Sequence, residues 1–274
     1  MGWTFTDDLA TYGAVAEPLL RTDPVENTVP LTVIENSRHQ PNPDESYGWW
    51  TEPDGRITGV ISHTSPHPVL LCAVPEHAVR PLVDSGRLVG GISGESRLAA
   101  YCGAVWTRTT GGTAQLRAAH RLFRLEELTL PAQPDGRGRP ATDADLDFLV
   151  AAHEGFHRES TGAHDSSGIV TAVKTRLEFG GLWLWENGAG DPVAMAGFGR
   201  EAAGAVRVAP VYTSPSERGR GYGSAVTASV SRHLQGTGAQ ILLFTDLTNP
   251  TSNSIYQKIG YRPVSDRLML DLVP

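Results

Sequence analysis

The run Val211-Tyr212-Thr213-Ser214-Pro215-Ser216-Glu217-Arg218-Gly219-Arg220-Gly221-Tyr222-Gly223-Ser224-Ala225 carries the clearest chemistry in the chain. A short β-prone segment passes through a glycine-alternating turn and enters a helical pattern, with Ala225, Val226, Val230 and Leu234 on one apolar face. Such a turn presents unbonded backbone N–H groups at a helix N-terminus, where the dipole favours an anion. Gly219, Gly221 and Gly223 let a ligand approach the main chain closely, and Arg218 and Arg220 add positive charge. The ligand this layout suits is a diphosphate. The same pattern predicts Thr227, Ser231 and Arg232 on the water-facing side. No Gly-Lys-Ser/Thr closes the turn, which disfavours nucleoside triphosphate hydrolysis. Its place late in the chain, with no repeated parallel strands after it, disfavours a dinucleotide fold.

A second constellation follows. Ile241 to Thr245 is an apolar run of strand length, and Asn249-Pro250 then reads as an N-cap with proline at the first helical position. Ser252, Ile255, Tyr256 and Ile259 fall on neighbouring helical rows, and Gly260 ends the helix.

With both segments in view, the sequence resembles the GNAT superfamily of N-acetyltransferases. The matching residues are Arg218 to Gly223, Asn249 to Tyr256, and Gly260-Tyr261. The likeness covers the last half of the chain well and the first half in outline. It implies acetyl-CoA as acyl donor, held in a V-shaped opening between two splayed parallel strands. Val211, Tyr212 and Thr213 match the strand end that pairs with the pantetheine arm. The amides of Arg218, Gly219, Arg220, Gly221, Tyr222, Gly223 and Ser224 match the pyrophosphate loop. Asn249 and Asn253 match positions that contact the cofactor, and Tyr256 matches the tyrosine that protonates the departing thiolate.

The chemistry implied is direct attack by an amine on the thioester. An N–H at Val211 or Tyr212 stabilises the developing oxyanion, and a phenol with ordinary pKa about 10 serves as the acid. Tyr256 has a second reading, as a core tyrosine beside Ile255 and Ile259. The base that neutralises the amine stays open among Glu154, His157, Glu159, Asp246 and a water chain. Glu217 reads as a solvated loop residue.

Composition fits a globular enzyme. The 274 residues, 40% hydrophobic and 19% charged, suffice for two domains. A net charge of −7 argues against a nucleic-acid partner and mildly favours a cationic amine acceptor. Cys72 and Cys102 form no disulfide framework or metal spacing, so no metal is expected. No signal peptide or membrane-length apolar run is seen, and Gly2 with Thr6 lacks polybasic support for a lipid anchor, so a cytoplasmic protein without membrane partners is expected. Lysine occurs only at Lys174 and Lys258 beside plentiful arginine, which suggests a GC-rich, actinobacterial genome.

The first half reads as helices over 7–20 and 25–38, the second led by Asp23-Pro24. Strands follow at 47–50 and 56–61 around Pro53-Asp54-Gly55, then a strand at 69–74, a helix at 76–84 and a strand near Leu88. A helix at 95–106 and a strand at 120–128 complete it. The second half repeats the order: helices at 143–158 and 168–179, a tryptophan-rich strand at 181–186, a turn and a strand at 192–199. That is an internal duplication read from pattern. The fold class is therefore α/β with an α+β mixed sheet: two GNAT-like domains in tandem, each a mixed, mostly antiparallel central sheet with a splayed parallel strand pair flanked by helices. The expected division is a degenerate first domain over 1–130, a linker at 131–140 and an acetyl-CoA-binding catalytic domain over 141–274. The first copy lacks the arginine-glycine turn between Val74 and Pro81 and serves as a wall of the acceptor pocket or as a structural partner. Trp49, Trp50, Trp183 and Trp185 read as core or interface residues. The expected function is acetyl transfer to a primary amine of a small molecule or peptide in a ternary complex, by a monomer or else a homodimer. The rival is a non-catalytic acyl-CoA-binding sensor or assembly module.

Overall fold

Alternation of Trp3 and Phe5 with threonines makes β1 (Gly2–Thr6), a strand the sequence reading did not foresee. The computed structural model describes residues 1–41, 44–161 and 168–274. Contacts divide it into two units: Met1–Leu122 with Thr245–Asn249 and Pro263–Pro274, and Phe123–Phe244 with Pro250–Arg262.

In the first unit, Asp8 caps α1 (Leu9–Leu20) by accepting from the amides of Ala10 and Thr11. Then come α2 (Thr28–His39), β2 (Glu45–Thr51), β3 (Ile57–Thr64), β4 (Val69–Cys72), α3 (Glu76–Asp84), β5 (Gly91–Glu95) and α4 (Ser96–Thr110). Strands β1 to β4 pair antiparallel in chain order, whereas β4 runs parallel to β5 through Val69↔Ile92 and Leu70↔Ser93. Next to β5 lies the far part of β12 (Tyr261–Val273), antiparallel from Arg267↔Glu95 to Asp271↔Gly91. Leu270 and Leu272 of that strand join Trp50, Leu71, Leu82 and Trp106 in the core.

Strand β6 (Thr113–Leu125) leads to the second unit. There the order recurs: β7 (Arg137–Pro140), α5 (Leu146–Thr161), α6 (Ile169–Glu178), β8 (Leu182–Glu186), β9 (Pro192–Phe198), β10 (Ala205–Thr213), α7 (Tyr222–Gln235), β11 (Gln240–Asp246) and α8 (Pro250–Ile259). Strands β7 to β10 are antiparallel neighbours, and β10 is parallel to β11. One core gathers α7 with β9, β10 and β11; a second lies where α5 and α6 meet β8 and β9.

Each unit thus shows a strand, two helices, three antiparallel strands, a helix, a parallel strand and a last helix. The duplication and mixed-sheet class read from pattern are present.

Several details differ from expectation. Residues 131–140 are not simply a linker, because Arg137–Pro140 pairs with β8 as β7. Arg139 fixes that edge through Glu186 at 2.6 Å and Asp145 at 2.7 Å, partners no local pattern reveals. The helix expected from Val25 starts at Thr28, since Asp23 instead closes a turn by accepting from the Glu26 amide at 3.1 Å. The strand expected near Leu88 is β5, and the one expected at 120–128 begins at Thr113. Thr227 and Ser231 do not face water; both are fully buried, while Arg232 is exposed. Their hydroxyls bond the carbonyls four residues back at 2.8 Å, which hides their polarity inside the helix. Finally, 245–249 and 263–274 group with the first unit, although the sequence reading puts all of 141–274 in the second domain.

Cys72 and Cys102 are buried free thiols, and burial pushes each up to about 12. No helix among the described residues is long and apolar enough to cross a membrane.

Candidate functional site

The parallel ladder between β10 and β11 runs only from Ala205↔Gln240 to Arg207↔Leu242. Past a register shift, β10 keeps β9 as partner through Val211↔Ala196, Tyr212↔Met195 and Thr213↔Ala194. The two parallel strands therefore part beyond Arg207. Ser214 donates its amide to the Val193 carbonyl at 3.0 Å, which makes that pair hydrogen-bonded. By the alternation of an antiparallel ladder, the main-chain groups of Val211 and Thr213 then face away from β9, on the side that opens. The Thr213 carbonyl, pointing that way, accepts from Arg218 Nε at 3.1 Å.

Beyond β10, a single 3-10 turn (Pro215–Glu217) leads into the glycine turn. Gly219 has φ 77° and Gly221 φ 87°, left-handed angles that favour glycine, and a Cβ at either would meet open space. Gly221 is the N-cap of α7, and no side chain caps the helix. The first intrahelical bond runs from Ala225 N to Gly221 O at 3.0 Å, so the amides of Tyr222, Gly223 and Ser224 lead the helix with no capping acceptor. Gly223 lies against Thr213, where a Cβ would stand 3.1 Å from the threonine Oγ1. These residues fit a diphosphate.

The arginines are engaged. Arg218 pairs with Glu159 of α5 at 2.6 and 2.9 Å and lies 5.4 Å over the Tyr212 ring; Arg220 pairs with Glu217 at 2.9 Å. Both arginines are exposed, so each pair contributes at most about 1 kcal/mol and can yield to an anion.

Sequence reasoning missed the anchor of this turn. Tyr222 is buried, and its phenol donates to Asp135 Oδ1 at 2.7 Å. Asp135 also takes the Gly188 amide at 2.9 Å, and its carbonyl takes Trp185 Nε1 at 2.9 Å. The Tyr222 hydrogen bond first, then the Gly188 amide, holds the Asp135 carboxyl below its ordinary value. Of Tyr222, then, only the main chain serves the turn. No pattern around Asp135 marks it, because its partners come from two distant segments, at 185–188 and at Tyr222.

Tyr256 sits on α8, half-buried, and packs with Ile255 against the core that holds Tyr222 and Ala225. Its ring meets Tyr261 edge-on at 6.0 Å, and burial pushes its phenol up to about 12. Asn253 is on the same helix, whereas Asn249 and Asp246 fall among the residues grouped with the first unit. Asp246 accepts from the Thr248 amide and hydroxyl, both at 2.7 Å, and that hydroxyl contact first holds its carboxyl below the ordinary value.

Among the other base candidates, Glu154 and His157 are half-buried on α5, and Glu159 is exposed and held by Arg218. The sequence reading passed over His153. It is buried, with Nδ1 2.9 Å from the Leu149 carbonyl, and burial first, then Arg176, holds the imidazole down at about 4 despite that bond. Its Nε2 and Arg176 Nε are buried without a hydrogen-bond partner among the described residues.

The corresponding turn of the first unit is built differently. Between β4 and α3, Ala73 takes φ 51°, Pro75 is the N-cap and Glu76 occupies the first turn. An acid there opposes a second anion. At α4 the Glu95 carboxylate itself accepts from the amides of Arg97 and Leu98 at 3.0 and 3.1 Å.

A family model described as FR47-like protein matches residues 191–269. Among curated proteins, no sequence matches. An acetyltransferase from the GNAT family of Colwellia psychrerythraea is similar over 100% of both chains, with TM-score 0.67 and 11% identity. A GCN5-related N-acetyltransferase from Sphaerobacter thermophilus matches over 99% of this chain and 96% of its own, with TM-score 0.68 and 13% identity. A tandem GNAT protein from the clavulanic acid biosynthesis pathway matches over 98% of each chain, with TM-score 0.59 and 11% identity. At such identities the likeness speaks for the fold, and on that footing, with the family-model match over 191–269, the chain is a protein of the GNAT acetyltransferase fold.

Proposed function

We propose that the second unit transfers the acetyl group of acetyl-CoA to a primary amine of a small molecule or peptide, by direct attack in a ternary complex. The observation that carries this reading is the uncapped N-terminus of α7, reached through two left-handed glycines, beside the point where β10 and β11 part.

In this reading the amides from Arg218 to Ser224 hold the diphosphate of coenzyme A, and Arg218 and Arg220 exchange their carboxylate partners for it. The main chain of Val211 and Thr213 pairs with the pantetheine arm. Of the two amides expected to face the oxyanion, that of Val211 points into the opening, and it is the donor we assign. One such donor is worth about 3 kcal/mol in acyl transfer. Asn249 and Asn253 contact the cofactor. Tyr256, protonated throughout the neutral range, gives its proton to the departing thiolate. The acceptor amine loses its proton to solvent or to an α5 side chain, of which Glu154 and His157 are not tied to Arg218. The first unit, whose equivalent turn carries Pro75 and Glu76, does not bind acetyl-CoA.

The test is release of CoA from acetyl-CoA in the presence of a panel of amines, with the chain and its Tyr256→Phe variant. Turnover that falls in the variant supports the enzyme. Cofactor binding by calorimetry with no amine ever liberating CoA establishes the non-catalytic binding module instead.

A further inference from the structure

The first unit holds a cavity of about 840 Å³, lined along one face of α1 by Leu9, Ala10, Ala14 and Pro18, with Glu45 and Tyr47 of β2 also in the lining. Most of the exposed wall area is apolar, although charged side chains border it. The polar groups that reach it are unevenly charged. Arg21 and Arg38 both bond Glu17, and Arg38 also lies 3.8 Å from Glu35, so both cations already have carboxylate partners. Asp8 is committed to the N-terminus of α1, and its Thr11 hydrogen bonds hold it ionised. Asp7, in the lining, makes no ion pair with a described residue.

Glu45 is a buried carboxyl group with hydroxyl partners in place of the usual cation. It is 9% exposed. One carboxylate oxygen accepts from Ser37 Oγ at 2.6 Å and the other from the Tyr47 hydroxyl at 2.6 Å. Both donors are neutral, and Glu45 forms no ion pair with a described residue. Burial first, then Glu45, raises the Tyr47 phenol, which keeps that donor protonated. Two hydroxyl donors orient the carboxyl group, which lines the cavity with no ion-pair partner among the described residues.

We propose that this cavity is a binding site for a small organic cation: a primary ammonium or guanidinium group on an aliphatic body, with the charge against Glu45 and the hydrocarbon along α1. Apolar wall area with convergent polar groups is the build of a small-molecule site, and here carboxylates outnumber the arginines among those groups. The site belongs wholly to the first unit, and it stands whether or not the second unit transfers acetyl groups. It gives the first unit a ligand of its own.

The experiment is calorimetric titration of the full chain with pentylamine, and with pentanol as the uncharged control. Pentylamine binds and pentanol does not at the same concentration. Glu45→Gln keeps the size and the hydroxyl contacts, and weakens pentylamine binding by about tenfold or more, which corresponds to the loss of about 1.4 kcal/mol. Ala14→Trp fills the cavity from an exposed position and produces the same loss, which keeps the test decisive if Glu45→Gln does not fold. No heat with pentylamine overturns the proposal. So does wild-type affinity in folded Glu45→Gln, or in Ala14→Trp, because pentylamine must then sit elsewhere, as at the acceptor site proposed for the second unit.

Discussion

Asp135 and Tyr222 lie 87 residues apart and are joined by one hydrogen bond of 2.7 Å, in which the phenol donates to the carboxylate. That bond ties the first residue of α7 to a segment between β6 and β7. Asp135→Ala and Tyr222→Phe each release the helix start that carries the glycine turn. Steady-state kinetics will show a several-fold rise in KM for acetyl-CoA with a smaller change in kcat. The carboxyl of Asp135 is held below its ordinary value, so the contact adds stability at neutral pH. That stability is lost as pH falls through the depressed value, and urea melts from pH 7 down to 3 will lose less in Asp135→Asn.

Tyr256→Phe keeps the packing against Tyr261 and removes only the proton donor. On the proposal that Tyr256 is the acid, kcat falls by about 10²-fold while KM for acetyl-CoA barely moves. Burial raises the phenol to about 12, above its unfolded value, so the protonated form supplies stability below pH about 10 that is lost as pH climbs through about 12. Alkaline unfolding of Tyr256→Phe, followed by circular dichroism, is therefore shifted to higher pH than in the parent.

Gly221→Ala tests the turn itself. A Cβ there meets nothing within 4 Å, so its cost comes from φ 87° alone, about 1–2 kcal/mol. Gly199→Ala also meets open space but has no left-handed angle, and is the matched control. Thermal melts will separate the two variants by several degrees, and acetyl-CoA affinity will fall only in Gly221→Ala.

His153 makes the α5–α6 layer acid-sensitive. Its imidazole is held down at about 4, so it stays neutral when folded and protonates more readily when unfolded. The stability it supplies is full above pH about 6.5 and is lost as pH drops through about 4, a change on the order of 3 kcal/mol. In His153→Leu, urea unfolding free energies at pH 7 and pH 4.5 will lie closer together than in the parent.

What the sequence made legible was local. The glycine alternation, the Asn-Pro helix start and the apolar row of α7 each lie within one turn or helix, and each stands where it was read. Helix α3 begins and ends at the expected residues because its apolar row and first-turn acid are contiguous. The splayed strand pair came from the family likeness, and the short ladder at Ala205–Arg207 accounts for it. Hidden features depend on distant partners. Strand β7 exists because Glu186 and Asp145 hold Arg139; nothing in a Pro- and Gly-rich stretch announces it. Ser231 looked solvent-facing because its partner, the Tyr261 hydroxyl at 2.7 Å, lies 30 residues on. His153 went unnoticed since burial, which spacing does not report, is the main influence on its proton affinity.

Strand β12 joins the first unit from beyond the whole of the second. A ribosome that has released residues up to Leu122 has delivered every helix of that unit, yet Leu270 and Leu272 and the neighbour of β5 are still unmade. The half translated first is thus the half that must wait. Its hydrophobic interior closes only after the whole second unit has been made, and a fragment ending at Leu122 will expose the edge of β5 and invite aggregation.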